Sequence, residues 1–243
     1  MKQWFPLTDY DFYAYITAGM LLIAAADYTF GGAVLVQRTE WTVVQLVFWG
    51  AVAYLVGQLA AGPSSSVLEH LVARRLMHPP VAVCLGLAER RRRERWAAAL
   101  FAGREYSPLP AQERKRIIDG AAAALGVPPA DVVDPEAVFG IAFRSARAVP
   151  DAAARMDQFR NLYGMSRNVA FVSFVGAVLL LARLCLTPSS RTAWLLAGSL
   201  ALGIGMFGRF LKFYAAFSRE VLGTYASKIS IDAASAQGTA AKP

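Results

Sequence analysis

The sequence predicts an all-α integral membrane protein: four transmembrane helices, a helical cytosolic insert between the second and third, and a cytosolic extension of the fourth. Three observations carry this expectation. Of the 243 residues, 56% are hydrophobic and only 17% charged, where soluble domains run at about 45–50% and about 25%. Four apolar runs approach the ~20 residues that cross ~30 Å of hydrocarbon. Period-two alternation is missing throughout, so no sheet is expected.

The N-terminal hairpin occupies residues 1–63. Its first run, residues 12–30, is interrupted only by Asp27 and loosened by Gly31-Gly32. No small-residue cleavage site follows it, so it reads as a retained span and not as a removed signal peptide. The second run, residues 41–61, stops at Gly62-Pro63.

The insert covers residues 64–168. Ser66 and Glu69 have capping-box spacing and predict a new helix to about Met77, ended by Pro79-Pro80. Further helices are expected over 81–102, over 111–125 with Gly126 as its stop, and from Asp134-Pro135 to about Ala148. From Asp151 no breaker stronger than Gly164 occurs before Pro188, so one helix should run from the insert into the third span, residues 169–187.

The fourth run, residues 193–208, completes a C-terminal hairpin spanning 169–208. Behind it Phe210, Phe213, Tyr214, Phe217, Leu222 and Tyr225 form an apolar stripe beside Arg209, Lys212, Arg219 and Lys228, which predicts a cytosolic amphipathic helix over 209–231. Residues 232–243, rich in Ala, Ser and Gly, read as a disordered tail.

Orientation follows from the basic residues, in a chain of net charge +8. Between Ser64 and Asn168 there are 16 Lys or Arg, against Arg38 alone between the first two spans and Arg191 alone between the last two. Cytosolic loops concentrate Lys and Arg, so both termini are expected in the cytosol of a bacterial cell, with the spans in its inner membrane. Tyr28, Trp41 and Trp194 then fall at the outer interface, where aromatic belts form. Cys84 and Cys185 would lie on opposite sides, so no disulfide is expected.

Few residues stand out as candidate sites. Asp27 and Arg183 each lie 15 residues into spans that rise from the same side, ~22 Å deep at 1.5 Å per residue. Charges at such depth are costly and usually pair, which predicts an ion pair between spans one and three with Gln45 nearby; snorkelling to water is the competing reading. Arg90, Arg91, Arg92, Arg93, Arg95 and Trp96 form a basic run suited to anionic lipid head groups. A solvated helix face explains the same run, and no nucleic-acid-binding module surrounds it.

Small residues recur every fourth position at Ala53, Gly57 and Ala61, and again at Ala197, Ala201 and Gly205. These stripes predict close helix packing, within one chain or in a homo-oligomer. Gly203 to Gly208 spells GxGxxG but lies inside a span, where a nucleotide fingerprint has no strand to follow. His70 and His78 stand eight residues apart, too far along a helix to share a metal, so neither metal nor cofactor is expected.

No motif commits the chain to a reaction. The leading expectation is a non-enzymatic membrane protein, a homo-oligomer whose cytosolic helices receive a partner or signal, in the manner of a sensor, scaffold or gated pore. Two alternatives are a small transporter or flippase working near Asp27 and Arg183, and a membrane enzyme acting on lipid head groups through Glu69, His70 and His78.

Overall fold

The computed structural model describes residues 12–89, 92, 95 and 105–240. Among them every regular element is helical. A π-helical turn, Phe12–Ile16, leads into α1, Thr17–Phe30. Helix α2, Val43–Ser64, opens on a capping box: the Gln45 amide donates to Thr42 Oγ1, and the Thr42 amide donates to Gln45 Oε1. Its continuation, Ser65–Leu76, is π-helical. Then come α3, Pro80–Cys84; α4, Ala111–Leu125; a 3-10 turn, Pro129–Asp131; α5, Pro135–Arg147; α6, Pro150–Leu186; and α7, Ser190–Ala240.

Several boundaries follow the local chemistry. Gly126 ends α4 at φ +69°, a conformation open to glycine without Cβ strain. Asp134 accepts the Glu136 amide at 2.9 Å and so caps α5, with Pro135 in its first turn. Helix α6 runs without interruption through Gly164, as its lack of breakers predicts.

Several expectations need correction. The helix expected over 81–102 stops at Cys84, and the chain turns through Gly86 at φ +70°. Pro63 does not stop the second helix, and the Ser66/Glu69 pair does not cap a new one. The helix passes through Pro63 and widens into π geometry directly behind it. Proline has no N–H and its ring crowds the carbonyl four residues back; a wider turn relieves both faults without ending the helix. At the other end, α7 continues past residue 231 to Ala240. Alanines at 233, 234 and 236 favour helix there, while composition alone pointed to disorder.

Three helices are long and apolar enough to cross a membrane, within Val43–His70, Pro150–Leu186 and Ser190–Asp232, and a shorter apolar helix covers Ala14–Phe30. These helices mark an integral membrane protein. The chain forms two compact units.

The first unit comprises Met1–Leu76 and Asn161–Phe210. Here α1 and α2 touch backbone to backbone: a Cβ on Gly19 would fall on the Ala53 carbonyl, and one on Gly57 would fall on the Tyr15 carbonyl. Ala18, Ala60, Val169 and Val172 form a core with Leu21, Leu22 and Met206 around it. Outward-facing side chains are large and apolar, among them Val43, Val47, Phe48, Leu59, Val178 and Ile204. An apolar surface of this extent belongs against lipid or another chain.

The second unit comprises Met77–Arg160 and Leu211–Pro243. Ile117, Val138, Met156, Leu211, Val221 and Leu222 are its fully buried core. Of the predicted stripe on α7 within this unit, Tyr214, Phe217, Leu222 and Tyr225 are buried and Phe213 is half-buried. Phe217 packs on Phe139 and Phe143 of α5.

Candidate functional site

The densest polar constellation in the first unit lies where α2 turns π-helical. Arg167 on α6 donates from Nη1 to Glu69 Oε2 at 2.6 Å and from Nε to Ser64 Oγ at 3.1 Å. Ser64 Oγ donates to Asn168 Oδ1 at 2.8 Å, and Arg167 Nη2 reaches the same oxygen at 3.4 Å. Glu69 also accepts from Ser65 Oγ and has Arg74 at 3.8 Å. Ser64 and Asn168 are fully buried, and the Glu69 and Arg167 side chains are each 12% exposed. Asn168 Nδ2 has no acceptor, an uncommitted donor in an otherwise closed network.

In the sequence the cap-like spacing of Glu69 from Ser66 hides this network. One signal points to it: Ser64 follows the second apolar run and Asn168 precedes the third, so both polar groups sit at one depth. The pair uses the widened turn after Pro63, and π-helical turns often occur at functional positions. His70 is exposed, its Nδ1 within 3.2 Å of the Ser65 carbonyl. The Glu69 carboxylate is committed to Arg167. Among the described residues, no group of three or more His, Cys, Asp or Glu could hold a metal ion.

The predicted intramembrane pair is resolved differently. Asp27 Oδ2 accepts the amides of Leu35 and Val36 at 2.9 and 3.0 Å, and its carbonyl accepts those of Gly31 and Ala33. It folds the chain leaving α1 into a corner in which Gly32 and Ala33 both take positive φ. Arg183 instead donates to the Thr29 carbonyl at 2.8 Å and lies 4.9 Å from the Tyr28 ring centre. Backbone groups freed by the end of α1 satisfy both charges, and Gln45 is spent on its capping box. The expected direct pair is therefore absent: Asp27 and Arg183 hold neighbouring parts of one helix end.

The small-residue stripes also divide. Ala53 and Gly57 are buried against α1 and its lead-in turn, and Ala61 is half-buried. Ala197, Ala201 and Gly205 are exposed; on α7 the glycine that packs is Gly203, against the Phe174 ring. In the basic run, Arg92 and Arg95 are exposed helical positions, while Arg90, Arg91, Arg93 and Trp96 lie outside the described residues.

The second unit contains a thiol in an unusual setting. Cys84 is fully buried, and that burial pushes its pKa from the usual 9.0 up to about 11, against the lowering influence of the hydrogen-bonded Arg219. Arg219 also donates to the carbonyls of Glu105 and Ser107. A protonated, enclosed thiol of this kind is a packing residue, not a nucleophile. Cys185 is exposed and free.

The geometry thus offers a buried ion-pair network, a braced helix corner and an extensive apolar surface. No protein-family model matches the chain, and neither a curated protein nor a solved structure is similar to it.

Proposed function

We propose that the chain is a non-enzymatic, four-span protein of the bacterial inner membrane that couples a cytosolic helical region to the bilayer, as a sensor, scaffold or gated pore-type effector. The observation that carries this reading is the continuity of α6 and α7. Each contributes residues to both compact units, and each holds an apolar, membrane-length segment. A partner engaging the second unit therefore acts on helices that are themselves membrane spans. The apolar helix Ala14–Phe30 serves as the fourth span, at the short end of the ~17–25 residues that suffice. The basic excess between Ser64 and Asn168 supports a cytosolic position for that stretch and for both termini.

Homo-oligomerisation is part of the same reading. Ala197, Ala201 and Gly205 present a small-residue face on α7 that no described residue covers. Such faces let helices of separate chains approach closely. Anionic head groups at the cytosolic side meet the basic run at residues 90–95.

Topology reporters and mass in mild detergent test the proposal together. A fluorescent reporter fused after Gly126 or after Pro243 should light in the cytosol, and a phosphatase fused at Ser190 should be active outside it. The protein mass of the detergent-solubilised particle, with bound detergent subtracted, should be a multiple of the 26.3 kDa of one chain. A phosphatase active at Gly126, or recovery of the chain in the soluble fraction, would overturn the reading.

A further inference from the structure

Helices α1, α6 and α7 of the first unit line a half-open cavity of about 320 Å³. Its size lies within the ~300–1,000 Å³ range of ligand sites. Its walls are mainly apolar: Leu21, Ala24, Val172, Leu180, Leu195 and Leu202 are among them. Small residues make the space, since a Cβ on Gly198 would meet nothing within 4 Å.

The polar groups in the lining fall into two sets. Those in the wall are already satisfied. Ser173 Oγ donates to the Val169 carbonyl, Ser199 Oγ donates to the Ser173 carbonyl, and Tyr28 Oη shares a 3.0 Å hydrogen bond with Thr192. Nothing polar remains there to reward a polar ligand, so the interior favours hydrocarbon.

Arg191 and Trp194 behave differently. They lie three residues apart in the first turn of α7, on one face and next to the turn that joins it to α6. Both are exposed. Arg191 touches the Tyr28 ring at 5.8 Å but has no hydrogen-bond acceptor or carboxylate among the described residues, and the Trp194 indole N–H is equally uncommitted. Arg183 adds a second cation at the same ring, also without a carboxylate. The Asp27 carboxylate is taken up by the Leu35 and Val36 amides. This end of the cavity therefore carries positive charge and unused donors beside a hydrocarbon slot.

We propose that the cavity holds an acyl chain of an anionic phospholipid whose phosphate is bound by Arg191 and the Trp194 indole, in the leaflet at the α6–α7 turn. Guanidinium groups suit phosphate oxygens geometrically, and tryptophan occupies the head-group level of a bilayer. This site is separate from the basic run at residues 90–95 and rests only on the membrane location of the first unit.

The test is native mass spectrometry of the full chain released from nanodiscs of equimolar phosphatidylglycerol and phosphatidylcholine. Wild type should retain phosphatidylglycerol about fivefold over phosphatidylcholine, the equivalent of the ~1 kcal/mol that one basic residue gives near an anionic surface. Arg191→Ala should lower that preference to what the basic run at residues 90–95 retains, and Arg191→Lys should keep more of it. Gly198→Leu, which fills the cavity where there is room for a side chain, should release both lipids while the protein stays monodisperse. Equal retention by wild type, an unchanged preference in Arg191→Ala, or wild-type lipid content in Gly198→Leu would each overturn the site. A dimer lost specifically in Gly198→Leu would assign the slot to a second copy instead, and would equally overturn it.

Discussion

Arg167 and Glu69 meet at 2.6 Å in a setting where each side chain is only 12% exposed. Both charges are largely withdrawn from water and each leans on the other, with the more exposed Arg74 at 3.8 Å a second partner for Glu69. Removing one partner of such a pair costs about 3–5 kcal/mol, because the survivor is left uncompensated. Arg167→Met and Glu69→Gln should each lower the thermal midpoint of the detergent-solubilised protein. The double variant should lose clearly less than the sum of the two. Strict additivity would mean that the charges are solvated and the pairing contributes nothing.

Contact between α1 and α2 depends on two missing side chains. Gly19 and Gly57 lie against the Ala53 and Tyr15 carbonyls, with no space for even a methyl group. Gly57→Val should therefore separate the hairpin and lower stability by ~3 kcal/mol or more, the scale of severe overpacking. Gly50 is in the same helix with nothing near its Cβ position. Gly50→Ala should be neutral or stabilising by up to ~1 kcal/mol. Thermal unfolding of the two variants side by side checks the contrast, and equal loss in both would show that α1 packs elsewhere.

How much of this was legible in the sequence depended on how local the cause was. The helix stop at Gly126, the Asp134-Pro135 opening and the unbroken run into the third apolar segment all follow from neighbouring residues, and the structure places them there. Glu69 was misread because its cap-like spacing from Ser66 is a local signal, while its actual partner is 98 residues away. Pro63 was misread for a related reason: a proline in an apolar helix is tolerated when neighbouring groups and a widened turn absorb the fault. The depths of Asp27 and Arg183 pointed to one neighbourhood, and both do serve the same end of α1. Depth alone could not reveal that backbone amides and a carbonyl would claim the two charges separately.

Burial of Cys84 has a measurable pH signature. With the folded thiol at about 11 and the unfolded one near 9.0, the folded state binds the proton more tightly. Its contribution to stability is full below pH 9 and is lost as the pH rises through 11. The thermal midpoint of wild type should fall more steeply between pH 9 and 11 than that of Cys84→Ala. In the native protein at pH 8 a water-soluble maleimide should leave Cys84 unmodified until denaturant is added. Parallel pH profiles, or rapid labelling of native Cys84, would contradict the enclosed setting.

Asp27 distinguishes two ways of holding a charge at the end of an apolar helix. If it were the counter-ion of Arg183, Asp27→Asn would strand a cation and cost several kcal/mol. In the structure its carboxylate instead accepts two amides with one oxygen, Oδ2. An asparagine carbonyl oxygen can accept in the same place, so Asp27→Asn should keep most of the stability. Asp27→Ala leaves the Leu35 and Val36 amides without their acceptor and should cost about 1–3 kcal/mol. It should also loosen the corner in which Ala33 holds φ +68°. Limited proteolysis between residues 31 and 38, alongside thermal unfolding, reads both effects. A loss in Asp27→Asn as large as in Asp27→Ala would restore the ion pair and refute the corner brace.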